Sequence, residues 1–321
     1  MQEKPMVSIL CDTYNHEKYI AHALESFLMQ KADFSFEILV HDDASTDATP
    51  DIVREYSKKY PNLIKPILQT ENQYSKGVNI LQTIQFPRAN GKYIAVCEGD
   101  DYWIDSNKLQ LQVNWLENHP EDIGCVHKYI VVDENENIQN IRTFGYYDQE
   151  SRYTLADFEN KELPSQLASL MFRNIVNDPL TKYPEEFNDV KIQGDIKLYL
   201  YLLEYGSIYR LSQVCSAYRF VLHRGGQSWS SKNLGRIKGY QDWIELQKLE
   251  DKFRERYGRS ISLQERKIIA AATTVENCFC SPSYTNLKDA ITVITNQRGC
   301  ISGGMRWAFH KIKKRLRCSN I

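Results

Sequence analysis

Tyr93-Ile94-Ala95-Val96-Cys97-Glu98-Gly99-Asp100-Asp101-Tyr102-Trp103 is the stretch on which the reading of the chain turns. Its first five residues are an apolar run of the length and composition of a short buried strand. Three carboxylates follow at once. Acids where a buried strand emerges are costly unless something positive neutralises them. A divalent cation carrying a diphosphate meets that need, because hard oxygen ligands suit Mg²⁺ or Mn²⁺. The plainer alternative is that these acids cap following helices or pair with arginines.

Two similar strand ends precede this one. Val7-Ser8-Ile9-Leu10-Cys11 runs into Asp12-Thr13-Tyr14-Asn15, and Phe36-Glu37-Ile38-Leu39-Val40 into His41-Asp42-Asp43-Ala44-Ser45-Thr46-Asp47. Between them Ile20, Ala23, Leu24, Phe27 and Leu28 recur at helical spacing. Thr49-Pro50 supplies an N-cap and a first-turn proline for a second helix. Ile64 to Leu68 reads as a third strand, at an edge because of Pro66. A helix is expected from Asn79 to Phe86. Strand and helix in this alternation predict an α/β fold with a parallel sheet, whose ligands lie beyond the carboxyl ends of the strands.

Further on, Lys108 to Leu116 reads as a helix and Gly124 to Val132 as a strand. Residues 133–165 are polar and tyrosine-rich, Gly194 to Tyr205 is helical, and Ser207 to Leu211 and Cys215 to Leu222 are two strands. Beyond Gly225-Gly226 only helical patterns remain. The expected division is a catalytic domain over 1–230 and a helical carboxy-terminal extension over 231–321.

Forty Lys and Arg against 41 Asp and Glu in 321 residues argue against bulk nucleic-acid binding. The eight cysteines are scattered without zinc spacing, the pattern of buried thiols in a reducing compartment. No apolar leader core and no run of about 18 apolar residues is present, which points to the cytoplasm. Gly-x-Gly-x-x-Gly and the P-loop pattern are absent, disfavouring dinucleotide oxidoreductases and NTPases.

The three motifs together resemble family 2 glycosyltransferases. Val7-Ser8-Ile9 through Tyr14-Asn15, with Ala23-Leu24-Glu25-Ser26 and Gln30, resemble the family's opening. Glu37 to Asp47 is similar to its second-strand signature. Gly91-Lys92-Tyr93-Ile94-Ala95 with Glu98-Gly99-Asp100-Asp101 resembles the strand leading to its DxD motif. The resemblance covers residues 6–130 strongly and 165–230 more weakly. It implies a GT-A fold, a mostly parallel central sheet flanked by helices, and transfer with inversion from a nucleotide-sugar, a UDP-sugar by type. By the same resemblance Thr13 and Tyr14 lie against the nucleoside, Asp43 bonds the base, and Asp100 ligates Mn²⁺ or Mg²⁺ on the diphosphate. Glu98 and Asp101 then stand near ribose, metal or sugar. Glu98 departs from the usual Asp, and Asp12 from the usual proline or threonine.

Asp195, in Gln193-Gly194-Asp195-Ile196, matches the family's catalytic carboxylate, although a helix-start Asp is also stabilised by the macrodipole. The stretch Tyr218 to Trp229 resembles the closing loop, with His223 as a second metal ligand and Arg219 or Arg224 on phosphate. Ser169, Met171 and Arg173 resemble the acceptor-side strand. Met305, Phe309, Ile312 and Leu316 recur at helical spacing among basic residues, so 305–318 is a candidate peripheral contact with the inner face of the plasma membrane. The implied acceptor is a glycan or lipid-linked glycan, in bacterial cell-surface polysaccharide assembly. The rival readings are another nucleotide-using α/β transferase and a non-catalytic sugar-nucleotide or carbohydrate-binding protein.

Overall fold

The apolar runs at the start of the chain become parallel strands. A computed structural model describes residues 4–141, 143, 145–160, 163–221, 239–280 and 283–296. In it β1 (Val7–Thr13) lies between β2 (Phe36–Asp42) and β4 (Tyr93–Val96), while β3 (Ile64–Leu68) pairs with the outer side of β2. β1, β2 and β4 are buried on both faces, as parallel strands covered by helices must be, while β3 is only partly covered. Pro66 sits in β3, at the sheet edge, where its missing donor costs no ladder bond.

Helix α1 (Ile20–Leu28) buries the predicted stripe of Ile20, Ala23, Leu24 and Phe27 in a core shared with Val7, Ile9 and Cys11. Helix α2 (Thr49–Lys59) carries Pro50 and Asp51 in its first turn and Lys58 and Lys59 in its last, matching the macrodipole at both ends. Thr49 is not its N-cap. The hydroxyl accepts from His16 N instead, and Asp47 Oδ1 accepts Thr49 N at 3.0 Å.

The helix expected over 79–86 is wound as a wide π-type turn (Leu81–Gln85) followed by a tight turn at Phe86–Arg88. Pro87 has no N–H to continue an α-helix. This winding aims Gln85, fully buried, at the strand ends, where Nε2 donates to Asp12 Oδ1 at 2.8 Å and Leu39 O at 3.1 Å.

Beyond β4 come β5 (Tyr102–Trp103), α3 (Lys108–Asn118), β6 (Asp122–Val132), β7 (Ser151–Tyr153), α4 (Leu155–Asn160), β8 (Met171–Arg173), α5 (Gly194–Leu203) and β9 (Ser207–Arg219). The sheet order is β3-β2-β1-β4-β8-β6-β9-β5, with β7 on β9. The first four strands are parallel, and β8 enters antiparallel to both β4 and β6. The sheet is therefore mixed, with its parallel half at the amino-terminal end of the chain. The two strands expected over 207–222 are one, because register shifts against β6 absorb the polar interruption. Arg173 is not on an acceptor surface: its guanidinium is spent on Asp122 O, Leu116 O and His119 O at the far end of the sheet. Ser169 and Met171 are wholly buried beside it.

Lys108 is fully enclosed in this core, with Nζ 3.7 Å from the centre of the Trp103 ring and no hydrogen-bond acceptor among the described residues. Burial lowers its pKa to about 8. Cys11, Cys97, Cys125 and Cys215 are buried free thiols.

The described residues up to 158, within 163–183 and within 194–221 cluster as one unit, and those at 159–160, 184–193 and within 239–296 as a second. The second contains α6 (Gly239–Tyr257), α7 (Gln264–Cys280) and α8 (Tyr284–Asn296). Leu246, Leu249, Phe253, Ile261 and Leu263 form its apolar interior, and Lys267 pairs with Glu250 at 2.7 Å. Gly239 lets α6 touch α7, since a Cβ there would lie 2.6 Å from Ala270 O. Among the described residues no helix is long and apolar enough to cross a membrane. His223, Arg224, Gly225-Gly226 and residues 305–318 lie outside the described residues.

Candidate active site at the carboxyl ends of the parallel strands

Register builds the site. Thr13 of β1 is level with Asp42 of β2, and Leu10 with Val96 of β4. The chain beyond β4 therefore runs alongside the end of β1, with Cys97 N donating to Leu10 O at 3.0 Å and Gly99 N to Asp12 O at 2.9 Å. Gly99 permits this approach: a Cβ would lie 2.7 Å from Thr13 Oγ1 and 2.8 Å from Thr13 Cβ. The acidic loop is thereby pressed against Asp12 and Thr13.

The loops after β1 and β2 are laced together. Asn15 N donates to Ser45 Oγ at 2.8 Å, and Thr46 N to Asn15 Oδ1 at 2.8 Å. Asn15 and Ala44 both have positive φ, at 57° and 60°, held by these bonds. Asp42 is buried, accepts from Ser45 at both oxygens, and is shifted up in pKa by that burial.

Asp43, expected on a nucleobase, is 5% exposed, and its oxygens accept Gln73 N at 2.8 Å and Tyr74 N at 3.0 Å. The carboxylate thus fixes the segment after β3 as a wall, with Tyr74 standing 70% exposed at its rim. Thr13 is buried with Oγ1 unpartnered among the described residues, and Tyr14 is half-buried beside it.

The acids divide by orientation. Asp101, expected near the donor, is 2% exposed and turned inward: Gln166 Nε2 donates to Oδ2 and Arg219 N to Oδ1, each at 2.8 Å. Burial, then the charges of Asp100 and Glu98, push its carboxyl well up. Asp100 keeps its side chain 15% exposed, with Oδ2 3.8 Å from His16 Nε2. Glu98 is open to solvent at its surface, yet its carboxyl is raised by loss of hydration and by the charges of Asp100, Asp12 and Asp195. Asp12 rises to about 7 through burial, opposed by the Gln85 bond.

Arg219, expected on phosphate, lies inside the frame of the site among the described residues. Its side chain is 0% exposed, with Nε on Asp100 O at 2.9 Å, Nη1 on Asp133 O at 3.0 Å and Nη2 on Glu136 at 3.0 Å. The Tyr19 ring stacks 4.1 Å from the guanidinium carbon. Through these contacts it holds the acidic loop against the turn after β6. Asp195 stands at the first turn of α5, half-buried, and its charge acts on Glu98 and on buried Tyr199. The fold therefore gathers Thr13, Tyr14, Asp43, Glu98, Asp100 and Asp195 at one end of the sheet and turns Asp101 and Arg219 into its frame. His16 and Gln166 belong to the same constellation and carry no signal in the sequence beyond adjacency to Asn15 and Leu167.

Among the described residues no three His, Cys, Asp or Glu side chains converge to hold a cation unaided. What the arrangement offers is excess negative charge that a cation arriving with its own anion relieves. A shallow hollow of about 760 Å³ lined by Met6, Pro87, Gly91, Asn174 and Asn177 lies at the amino ends of β1 and β4, remote from the acids.

The sequence model of glycosyl transferase family 2 matches residues 8–178. An uncharacterized protein of Mycobacterium tuberculosis is 45% identical over 129 residues, 40% of this chain and 36% of that protein. An uncharacterized glycosyltransferase of Methanocaldococcus jannaschii, MJ1057, is 32% identical over 139 residues, 42% of this chain and 46% of its own. The chain thus spans less than half the length of these relatives. Among solved structures, S. aureus TarS 1-349 in complex with UDP-GlcNAc superposes with a TM-score of 0.60 at 20% identity, over 89% of this chain and 79% of that one. The mannosyltransferase PcManGT from Pyrobaculum calidifontis, in complex with GDP-Man and Mn²⁺, gives 0.52 at 15% identity over 96% and 84%. At such identities the likeness is one of fold, and the fold is GT-A.

Proposed function

The chain belongs to glycosyl transferase family 2, and on that footing we propose that it transfers a sugar, with inversion, from a nucleoside-diphosphate sugar to a hydroxyl of a glycan or lipid-linked glycan. The observation that carries this is the meeting of three strand-end acids, Asp12, Glu98 and Asp100, with the charge of Asp195 arriving from α5. The relatives in complex with UDP-GlcNAc and GDP-Man support a nucleotide-sugar donor, and we take a UDP-sugar as its type.

The residues fit a divalent cation that enters with the diphosphate. Glu98 and Asp12 carry raised pKa values that positive charge would relieve, and Asp100 presents an accessible oxygen. Asp100 would hold the ion, Mn²⁺ or Mg²⁺, with His223 as the second ligand expected from the family. When bound it supplies electrostatic stabilisation of the negative charge developing on the leaving diphosphate. This chain's own residues do the rest. Thr13, Tyr14 and the Asp43-held wall seat the nucleoside, and Gly99 keeps the acids against it. Asp195 takes the acceptor hydroxyl proton as the new C–O bond forms and the sugar–phosphate bond breaks, its electron pair leaving on the nucleoside diphosphate. Asp195 lies in the first turn of α5, where a helix macrodipole favours negative charge. We place the reaction in cell-surface polysaccharide or glycolipid assembly, on the cytoplasmic side, with 305–318 as the membrane-facing segment.

The test is nucleotide release from a panel of UDP- and GDP-sugars with and without Mn²⁺, on wild type and Asp195→Asn. Release with wild type, none with Asp195→Asn, and retained nucleotide binding by the variant is the expected result. Near-normal transfer by Asp195→Asn removes it as the base, and no release from any donor removes the activity.

A further inference from the structure

His16 follows Asn15 in the loop between β1 and α1, and its place is fixed from several sides. Its N–H donates to Thr49 Oγ1 at 2.9 Å, and its carbonyl accepts Tyr19 N and Ile20 N, each at 2.9 Å. The ring is thereby delivered to the acidic loop. Nε2 faces Asp100 Oδ2 at 3.8 Å, with the two side chains only 12% and 15% exposed. That spacing is too long for a hydrogen bond, so a mostly dehydrated imidazole and carboxylate face each other without bonding.

Two buried polar atoms lie behind this pair. His16 Nδ1 and Thr13 Oγ1 have no partner among the described residues. Both line the space over Gly99, where a Cβ would lie 3.1 Å from Nδ1 and 2.7 Å from Oγ1. Buried polar atoms left unmet are unusual and costly. An Nδ1–H turned toward Thr13 Oγ1 would satisfy both and set the tautomer that leaves Nε2 as a free lone pair aimed at Asp100. Metal-bound histidines are oriented in this way by the group behind them.

We propose that His16 Nε2 is a protein ligand of the divalent cation beside Asp100, with Thr13 positioning the ring. This rests on the functional reading above and deepens it. Two ligands on adjacent corners of a six-coordinate ion stand about 3 Å apart at bond lengths near 2.1 Å, so the observed gap needs only a small rotation of either side chain. The diphosphate and water complete the shell, consistent with the lack of any self-sufficient three-residue site among the described residues. An imidazole nitrogen also favours a transition ion over Mg²⁺, the harder of the two candidates.

The experiment uses the full chain with Mn²⁺ and UDP, read by pulsed electron paramagnetic resonance for ¹⁴N directly bound to Mn²⁺ and by titration for affinity. Mn²⁺ with UDP alone serves as the blank. Wild type should show the imidazole coupling. His223→Gln, which removes the other candidate imidazole, should keep the coupling. His16→Gln added to it should abolish the coupling, and His16→Gln by itself should bind Mn²⁺ about tenfold more weakly or worse, with unchanged melting curves as the folding control. Thr13→Val should keep the coupling at reduced affinity. Coupling that survives in the double variant, or bound Mn²⁺ without coupling in His223→Gln, overturns the assignment of His16 alone. Absence of any nucleotide-dependent Mn²⁺ binding overturns this assignment together with the cation role proposed above, while donor release without added metal would leave the transferase reading standing.

Discussion

The backbone N–H of Arg219 donates to Asp101 Oδ1 at 2.8 Å while its own Nε reaches the carbonyl of Asp100 at 2.9 Å, so the last residue of β9 grips two consecutive residues of the acidic loop. Arg219 is a brace. Arg219→Lys keeps a positive charge but loses the planar fork that serves Asp100, Asp133 and Glu136 together. The expected loss of stability is on the order of 3 kcal/mol, the scale for disrupting a buried charge network. Denaturant unfolding checks it. A stable variant with a selectively raised KM for the donor would return Arg219 to phosphate binding.

Gly99→Ala places a methyl 2.7–2.8 Å from Thr13. Relief requires the acidic loop to retreat from β1, at roughly 1–3 kcal/mol for such overpacking. The Gly99 N to Asp12 O bond would lengthen with it. The expected outcome is a folded protein, by circular dichroism, whose nucleotide affinity in Mn²⁺ falls at least about tenfold, since 1.4 kcal/mol of lost positioning suffices. Unchanged affinity would show that the loop is free to move without consequence.

Asp12 gives a pH signature. Its pKa in the folded protein is about 7, raised by burial, against an unfolded value near 4. Between those values the unfolded chain releases the proton and the folded protein keeps it, so stability falls as pH rises from about 4 to 7 and levels off above. Asp12→Asn retains an oxygen for Gln85 Nε2 and removes the titration. The variant should match wild type near pH 4 and exceed it by about 1–2 kcal/mol above pH 7, less than the full 1.36 per unit because part of the residue is open to solvent. A constant difference at all pH values would refute the assignment.

Lys108 runs the opposite way. Burial without an acceptor lowers its pKa to about 8. The folded protein is therefore penalised below that pH, and wild-type stability should rise between about pH 8 and the unfolded value near 10. Lys108→Met, with similar length and no charge, should raise the melting temperature at pH 7 by the equivalent of about 1–3 kcal/mol and flatten the alkaline rise. A drop in melting temperature would mean that stacking on Trp103 outweighs the burial cost.

Much of this molecule is written locally. The four parallel strands, α1, α2 and the edge position of Pro66 follow from apolar period, the first-turn proline of α2 and the missing donor of Pro66, all readable within a few residues. What sequence could not supply is set by distant partners. Nothing near Asp101 announces that Gln166 and Arg219 will fold it inward, 65 and 118 residues away. Asp43 looks like a free acceptor until the segment after β3 arrives to occupy it. The reversed insertion of β8 depends on how the chain returns from a long polar excursion, which carries no periodic pattern. His16 reads as an ordinary loop residue until β4 delivers Asp100 opposite it.

The lacing of Asn15 to Ser45 and Thr46 has a consequence for how such a chain can diverge. Two loops 30 residues apart hold each other's positive-φ backbones in place. Altering one without the other strands a strained residue, so single substitutions there are penalised before they can reshape the ends of β1 and β2. The turn after β6 carries a tie of its own: Glu136, with φ 66°, is bonded to both His22 and Arg219. Each of the two regions is thus free to change only in concert with the partner that holds it.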